Sequence, residues 1–230
     1  MKQLLWSLRG DRKILIGASE AFCMRIFEVG GVKYLHLSWG DIEKLVEELA
    51  DKISSDYEPD ILIGILRGGA TVAHLLSDLL DFKIIYPIGC NSYVDVAKRF
   101  SVKVYSPLAL SDLSEKRVLL VDDVADEGLT LKAVVEQQLM PRNPLEVKVA
   151  TLHMKPWCKF KPDYYVQLTD AWIIYPWEKR EVIRQVAENF MKNLGKESAM
   201  RELASILESD VEKVRRLLAS EGRLPVTEAE

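Results

Sequence analysis

The apolar positions of this chain change period along its length, and the changes divide it into segments. Near the start, three short runs, KILIG, CMRIFEV and VKYLHL, have the length and residue types of strands. They predict a small antiparallel β extension over residues 1–37. From Asp41 onward, Ile42, Leu45, Val46, Leu49, Ala50 and Ile53 repeat with the spacing of one helical face. Pro59-Asp60 then opens ILIGIL, a short run that is apolar at every position, as a strand covered on both faces must be. A helix over residues 69–80 is expected next, followed by the strand KIIYPI and a polar stretch over 91–103 with no strong local preference. The strand VLLVD, a helix over 129–139 and the strand VKVATLH continue the alternation. Apolar strands alternating with helices predict an α/β domain, a parallel sheet flanked by helices, over residues 38–193. Residues 194–230 read as a charged helical tail. In it Leu203, Ala204, Ile206, Leu207, Val211, Val214, Leu217 and Leu218 are the apolar positions, and Ser209-Asp210 separates two helices.

Composition narrows the possibilities without choosing among them. A chain of 230 residues, 48% hydrophobic and 29% charged, has room for one sizeable α/β domain and an appendage. Its formal net charge of −4 gives no electrostatic reason to expect nucleic acid or an anionic membrane as the main partner. Cys23, Cys90 and Cys158 form no CxxC spacing, which argues against a disulfide framework or a zinc site and fits a reducing cytoplasm. No apolar run reaches the roughly 18 residues that a bilayer span needs, and the opening MKQLLWSLRGDRK is too charged for a signal peptide. His36, His74 and His153 are isolated and read as structural.

The chemistry concentrates in VLLVDDVADEGLT, residues 118–130, where Asp122, Asp123, Asp126 and Glu127 lie within six positions. Capping accounts for part of this, because acids at a helix start complement its dipole by about 0.3–1 kcal/mol each. It leaves the adjacent pair Asp122-Asp123 at a strand end without a role. Two such carboxylates repel unless a cation or sugar hydroxyls engage them. Gly128 and Thr130, at the following helix start, offer close backbone approach, free N–H groups and a hydroxyl to a phosphate. A ribose 5-phosphate combines a diol and a phosphate in that way. Upstream, GILRGGATVAHLL runs from strand through Arg-Gly-Gly into helix, a form suited to a diphosphate and also to a plain turn.

Taken together, these segments resemble the type I phosphoribosyltransferases. VLLVDDVADEGLTL is similar to their motif for phosphoribosyl pyrophosphate (PRPP), in which apolar residues precede two acids and a phosphate loop. The resemblance implies that Asp122 and Asp123 face the ribose hydroxyls, directly or through Mg²⁺. It implies further that Asp126, Glu127, Gly128, Leu129 and Thr130 wrap the 5-phosphate, and that Asp126 is the acid/base residue near ring nitrogen 7 of a purine. The family commonly has Thr where this chain has Glu127, so a hydroxyl donor becomes a carboxylate. Arg67, Gly68 and Gly69 match the pyrophosphate loop, and the family often has a cis peptide before the basic residue, here Leu66–Arg67.

The stretch HMKPWCKFKPDYYVQLTDAWIIYPWEK, residues 153–179, gathers Trp172, Tyr175 and Trp177 with Lys155 upstream. Its MKP and TDAWIIYPWEK resemble the base-binding region of 6-oxopurine phosphoribosyltransferases, especially archaeal and microbial enzymes for guanine, hypoxanthine or xanthine. By that resemblance Lys155 donates to the exocyclic 6-oxygen, Trp172 stacks on the purine, Ile173 offers backbone contacts, and Glu178 is the acid near metal and pyrophosphate. An ammonium has no acceptor, so adenine is disfavoured. The polar stretch with Ser92, Tyr93, Lys98, Arg99 and Lys103 reads as a solvated loop, or as the family's mobile hood. The resemblance covers about two thirds of the chain and implies a cytoplasmic enzyme of purine salvage that acts on PRPP and a purine base. A homodimer or higher homo-oligomer is expected.

The tail also resembles a helix-turn-helix, with Glu208 where the usual turn glycine stands, which opens an alternative. The chain would then be a PRPP-sensing transcriptional regulator with weak turnover. Basic Lys213, Arg215, Arg216 and Arg223 are offset by Glu202, Glu208, Asp210, Glu212 and Glu221, so packing or oligomerisation is favoured for the tail and nucleic acid is not.

Overall fold

Strand β5 (Ile61–Leu66) lies inside a six-stranded sheet, and its apolar run is explained by that position. The computed structural model describes residues 5–8, 13–16, 25–94 and 100–219, which fall into two compact units. One unit comprises residues 42–170, and the other comprises 1–41 with 171–230.

The first of these carries the larger sheet, built from β5, β6 (Ile85–Val94), β7 (Phe100–Ser106), β8 (Arg117–Ala125), β9 (Glu146–Met154) and β10 (Tyr164–Leu168). Its order is β10-β9-β8-β5-β6-β7, parallel throughout except for the antiparallel pair β6–β7. Helices α1 (Trp39–Ser54), α2 (Gly68–Leu79) and α3 (Leu129–Val134) accompany it, and the chain passes between units within the first turn of α1. That turn is a capping box. Ser38 Oγ accepts the Asp41 N–H at 3.2 Å, and the Asp41 carboxylate accepts the Ser38 N–H at 2.9 Å. Ile63, Ile65, Val118, Leu120, Leu131, Val134 and Val149 form a core with at most 3% of their surface exposed.

Two local outcomes differ from the sequence pattern. The polar stretch after residue 91 is not a loop throughout: β6 continues to Val94 and pairs with β7 from Asn91↔Lys103 to Val94↔Phe100. Val102 and Val104 alternate inward against the core, a period-two signal masked by the polar residues between them. Lys98 and Arg99 lie outside the described residues. Strand β8 runs to Ala125, three residues beyond VLLVD, because Val124 and Ala125 still pair with His153 and Met154 of β9.

The other unit holds a five-stranded sheet of order β1-β2-β3-β4-β11. Its strands are β1 (Leu5–Leu8), β2 (Lys13–Ile16), β3 (Arg25–Val29), β4 (Val32–His36) and β11 (Trp172–Ile174). The first four are antiparallel; β2, β3 and β4 fall on the three runs the sequence marks, β1 is an additional strand that it does not mark, and β11 joins β4 in parallel. Helices α4 (Lys179–Leu194), α5 (Lys196–Leu207) and α6 (Val211–Ala219) belong to the same unit. The tail is therefore integral: Met200, Leu203, Ile206 and Val214 are buried in one cluster with Phe27, Tyr34, Ile174 and Phe190. Phe27 stacks on Tyr34 at 5.4 Å, and Phe190 meets Tyr34 edge-on at 5.2 Å. Buried Glu202 of α5 is ion-paired with Arg25 of β3, whose guanidinium also lies 4.9 Å from the Phe27 ring centre.

Candidate active site

Strand β8 and the N-terminus of α2 approach so closely that only glycine fits between them. A Cβ at Gly68 would overlap the Asp123 carboxylate, and one at Gly69 would fall 2.5 Å from Val121 O. The Arg-Gly-Gly turn and the acid pair are thus one structure, and the Leu66–Arg67 peptide within it is cis. Asp122 Oδ1 accepts the Asp123 N–H at 3.0 Å, and the Asp122 carboxyl also accepts the Gly69 N–H. Burial, then the neighbouring Asp123, raises Asp122 well above the ordinary carboxylate range. Two carboxylates so arranged suit a cation that takes one or two protein acids and completes its shell with phosphate oxygens and water. No group of three or more His, Cys, Asp or Glu side chains forms a metal cluster among the described residues.

After β8 the chain turns through Asp126, Glu127 and Gly128 into α3. Gly128 has φ +80°, and a Cβ there would fall 2.5 Å from Phe160 O, so both conformation and space require glycine. Asp122, Asp126, Glu127, Gly128, Leu129 and Thr130 line a cavity of about 230 Å³ at this helix start. Glu127 is exposed at its edge.

A second loop, following β9, braces the first. The Lys155 N–H donates to Ala125 O at 2.9 Å and the Lys159 N–H to Glu127 O at 3.2 Å. Trp157 Nε1 donates to Asp126 Oδ1 at 2.6 Å, and Lys155 Nζ lies 5.8 Å from the Trp157 ring centre. Lys155 is buried, which lowers its pKa, while Asp126 and then Asp170 hold its charge. Trp157 is a residue that sequence reasoning missed. Its nearest signal was position alone, two residues after Lys155.

Trp172, Ile173 and Glu178 belong to the other unit. Trp172 is half exposed on β11, Ile173 is buried beside it, and Glu178 is the N-cap residue of α4. Tyr175 stacks on Trp177 at 4.6 Å, and Trp39 lies 5.9 Å from Trp177. His36 and His153 are held in partly and fully buried surroundings, with burial the first cause of a lowered pKa in each.

A parallel sheet with an acid pair on its central strand, a glycine loop against that pair and a phosphate-type loop after it defines a phosphoribosyltransferase fold. The phosphoribosyl transferase domain family matches residues 37–181, and the chain belongs to that family. It is 30% identical to xanthine-guanine phosphoribosyltransferase of Cereibacter sphaeroides over 153 residues, 64% of this chain and 87% of that protein. Purine phosphoribosyltransferase from Pyrococcus horikoshii superposes with a TM-score of 0.57 at 37% identity, covering 63% of this chain and 93% of that one. A crystal structure of a Neisseria gonorrhoeae protein with bound ppGpp superposes at 0.57 and 25% identity, covering 83% of this chain and 97% of that one.

Proposed function

We propose that this chain transfers the phosphoribosyl group of PRPP to a 6-oxopurine, giving the nucleoside 5′-monophosphate and pyrophosphate. The bond from the anomeric carbon to pyrophosphate oxygen breaks, a bond to the purine imidazole nitrogen forms, and the nitrogen's proton is released. Arg67, Gly68 and Gly69 engage the departing pyrophosphate, and Asp126, Glu127, Gly128, Leu129 and Thr130 surround the 5-phosphate. Asp122 and Asp123 hold the ribose hydroxyls and, with Glu178, serve Mg²⁺, which supplies charge neutralisation for the leaving group when bound. Asp126 handles the purine proton near nitrogen 7. Trp172 stacks on the base and Ile173 meets its edge.

The observation that carries the base assignment is Lys155, buried and braced beside Asp126 by the same loop. An ammonium in that position can only donate, which matches an exocyclic oxygen and opposes an amino group. The similarity to xanthine-guanine and purine enzymes supports the same choice. We assign residues 38–193 as the transferase domain, flanked by the N-terminal extension 1–37 and the helical tail 194–230, in a cytoplasmic homodimer or higher homo-oligomer.

Formation of nucleotide from labelled guanine, hypoxanthine, xanthine and adenine, with PRPP and Mg²⁺, tests the reading. Wild type should use the oxopurines and use adenine poorly. Lys155→Ala should lose about ten- to a hundredfold in oxopurine kcat/KM, the worth of a charge-assisted hydrogen bond. Efficient turnover of adenine with little of guanine would overturn the assignment of Lys155.

A further inference from the structure

In the unit that holds β11 and the tail, α4, α6 and the turn before α6 line an open cavity of about 500 Å³, with Arg180, Arg184, Lys213, Arg216, Glu208 and Ser209 in its walls beside Leu207 and Leu217. Four cations and one carboxylate therefore line it in a chain whose net charge is −4, and of the four only Arg216 is paired on its own helix, with Glu212 at 3.6 Å. That carboxylate is already engaged, since Glu208 Oε1 lies 2.6 Å from Lys179 Nζ. Arg180 and Arg184, one turn apart on α4, have no ion-pair partner among the described residues. Like charges are not gathered around a concavity without cost unless an anion is to share them. The Ser209 hydroxyl beside this cavity is buried and lacks a hydrogen-bond partner among the described residues.

We infer that this cavity is a second anion site that binds a small molecule carrying a phosphate or pyrophosphate group, separate from the PRPP loops. Arginine forks at Arg180 and Arg184 match phosphate oxygens, Lys213 adds a point charge, and the two leucines give an apolar wall to the rest of the ligand. A nucleic-acid duplex is a poorer occupant. Glu208 does take the left-handed conformation of a helix-turn-helix corner, with φ 53°. The basic residues, however, line a hollow, and on α6 itself Glu212 pairs with both Arg215 and Arg216 at 3.6 Å. The α6 N-terminus contributes nothing to the inference, because Asp210 already accepts the Lys213 N–H at 2.8 Å.

Calorimetric titration of the full chain with inorganic pyrophosphate tests the site without presuming the purine reading. Two binding events per chain are expected, one of them in the transferase loops. Arg184→Glu with Lys213→Glu, both on exposed positions, should weaken one event at least tenfold and leave the KM for PRPP unchanged. Arg67→Ala should weaken the other event instead. Arg184→Gln with Lys213→Gln should give an intermediate loss. Identical isotherms for wild type and both Arg184/Lys213 variants would overturn the inference. So would loss of salt-sensitive duplex DNA binding in those variants with pyrophosphate binding intact, since the site would then read a nucleic-acid backbone.

Discussion

The Asp126 carboxylate accepts a 2.6 Å hydrogen bond from the Trp157 indole, and the same ring carries the Lys155 ammonium 5.8 Å from its centre. One aromatic side chain therefore positions the residue assigned to the purine proton and the residue assigned to the 6-oxygen. Asp126→Asn keeps size and polarity but removes the base, and general acid–base help is worth about 10²–10⁴-fold. That variant should keep PRPP affinity within a few fold and lose kcat by that amount. Trp157→Phe keeps the ring and deletes the donor. It should lower kcat about ten- to a hundredfold, the worth of one hydrogen bond to a charged group, with a smaller change in the KM for the base. Stopped-time assays over a range of base concentrations separate kcat from KM. An unchanged kcat in Asp126→Asn removes Asp126 from the mechanism, and an unchanged kcat in Trp157→Phe removes Trp157 from its support.

At the scale of elements, β9 carries a buried polar residue, one of the three histidines that the sequence reads as structural. His153 is fully buried and pairs in register with Gln167 of β10, whose side chain hydrogen-bonds to it. Burial first, then the nearby Lys155 charge, pushes its pKa down to about 3 from an ordinary 6.5. The unfolded chain then binds the proton below pH 6.5 while the folded chain does not until about pH 3. Stability contributed by neutral His153 is complete above pH 6.5 and is lost as pH falls toward 3, by about 2–3 kcal/mol at pH 4.5. Urea denaturation at pH 7.5 and 4.5 should show His153→Gln less stable than wild type at the higher pH but with a shallower decline. Equal declines would mean that His153 is not the titrating group. What the sequence showed of such elements depended on range. ILIGIL was legible as β5 because coverage on both faces leaves an unbroken apolar run, and the glycine turn at Arg67 to Gly69 and the turn from β8 into α3 were legible because a strand–turn–helix corner is local in sequence. The β6–β7 hairpin was hidden because Val102 and Val104 alternate among polar residues, and Trp157 because its contact to Asp126 spans 31 positions.

At the scale of the whole molecule, the tail that composition sets apart is part of the core of its unit. Ala199, Met200, Leu203, Ala204, Ile206 and Val214 are buried with Phe27, Val29, Tyr34, Ile174 and α4, and Glu202 holds Arg25 of β3. Removing α5 and α6 would expose that cluster and leave Arg25 without its carboxylate. Deleting residues 196–230 should therefore yield a chain that aggregates or melts far below wild type, rather than one that has merely lost an accessory function. Leu203→Ala gives the graded version of the same test, because Leu203 has no exposed surface. A large-to-small change at such a site costs about 2–5 kcal/mol, which lowers the Tm of a chain of this size by at least about 4 °C. Neither change should abolish a DNA-binding activity, since α6 pairs its own arginines with Glu212. Differential scanning calorimetry and size exclusion decide the first point, and mobility shifts of duplex DNA at two salt concentrations decide the second. A truncated chain with wild-type Tm and oligomeric state would show that the helical pair contributes nothing to the fold. A salt-sensitive shift by the intact chain that the truncation abolishes would assign the tail to DNA.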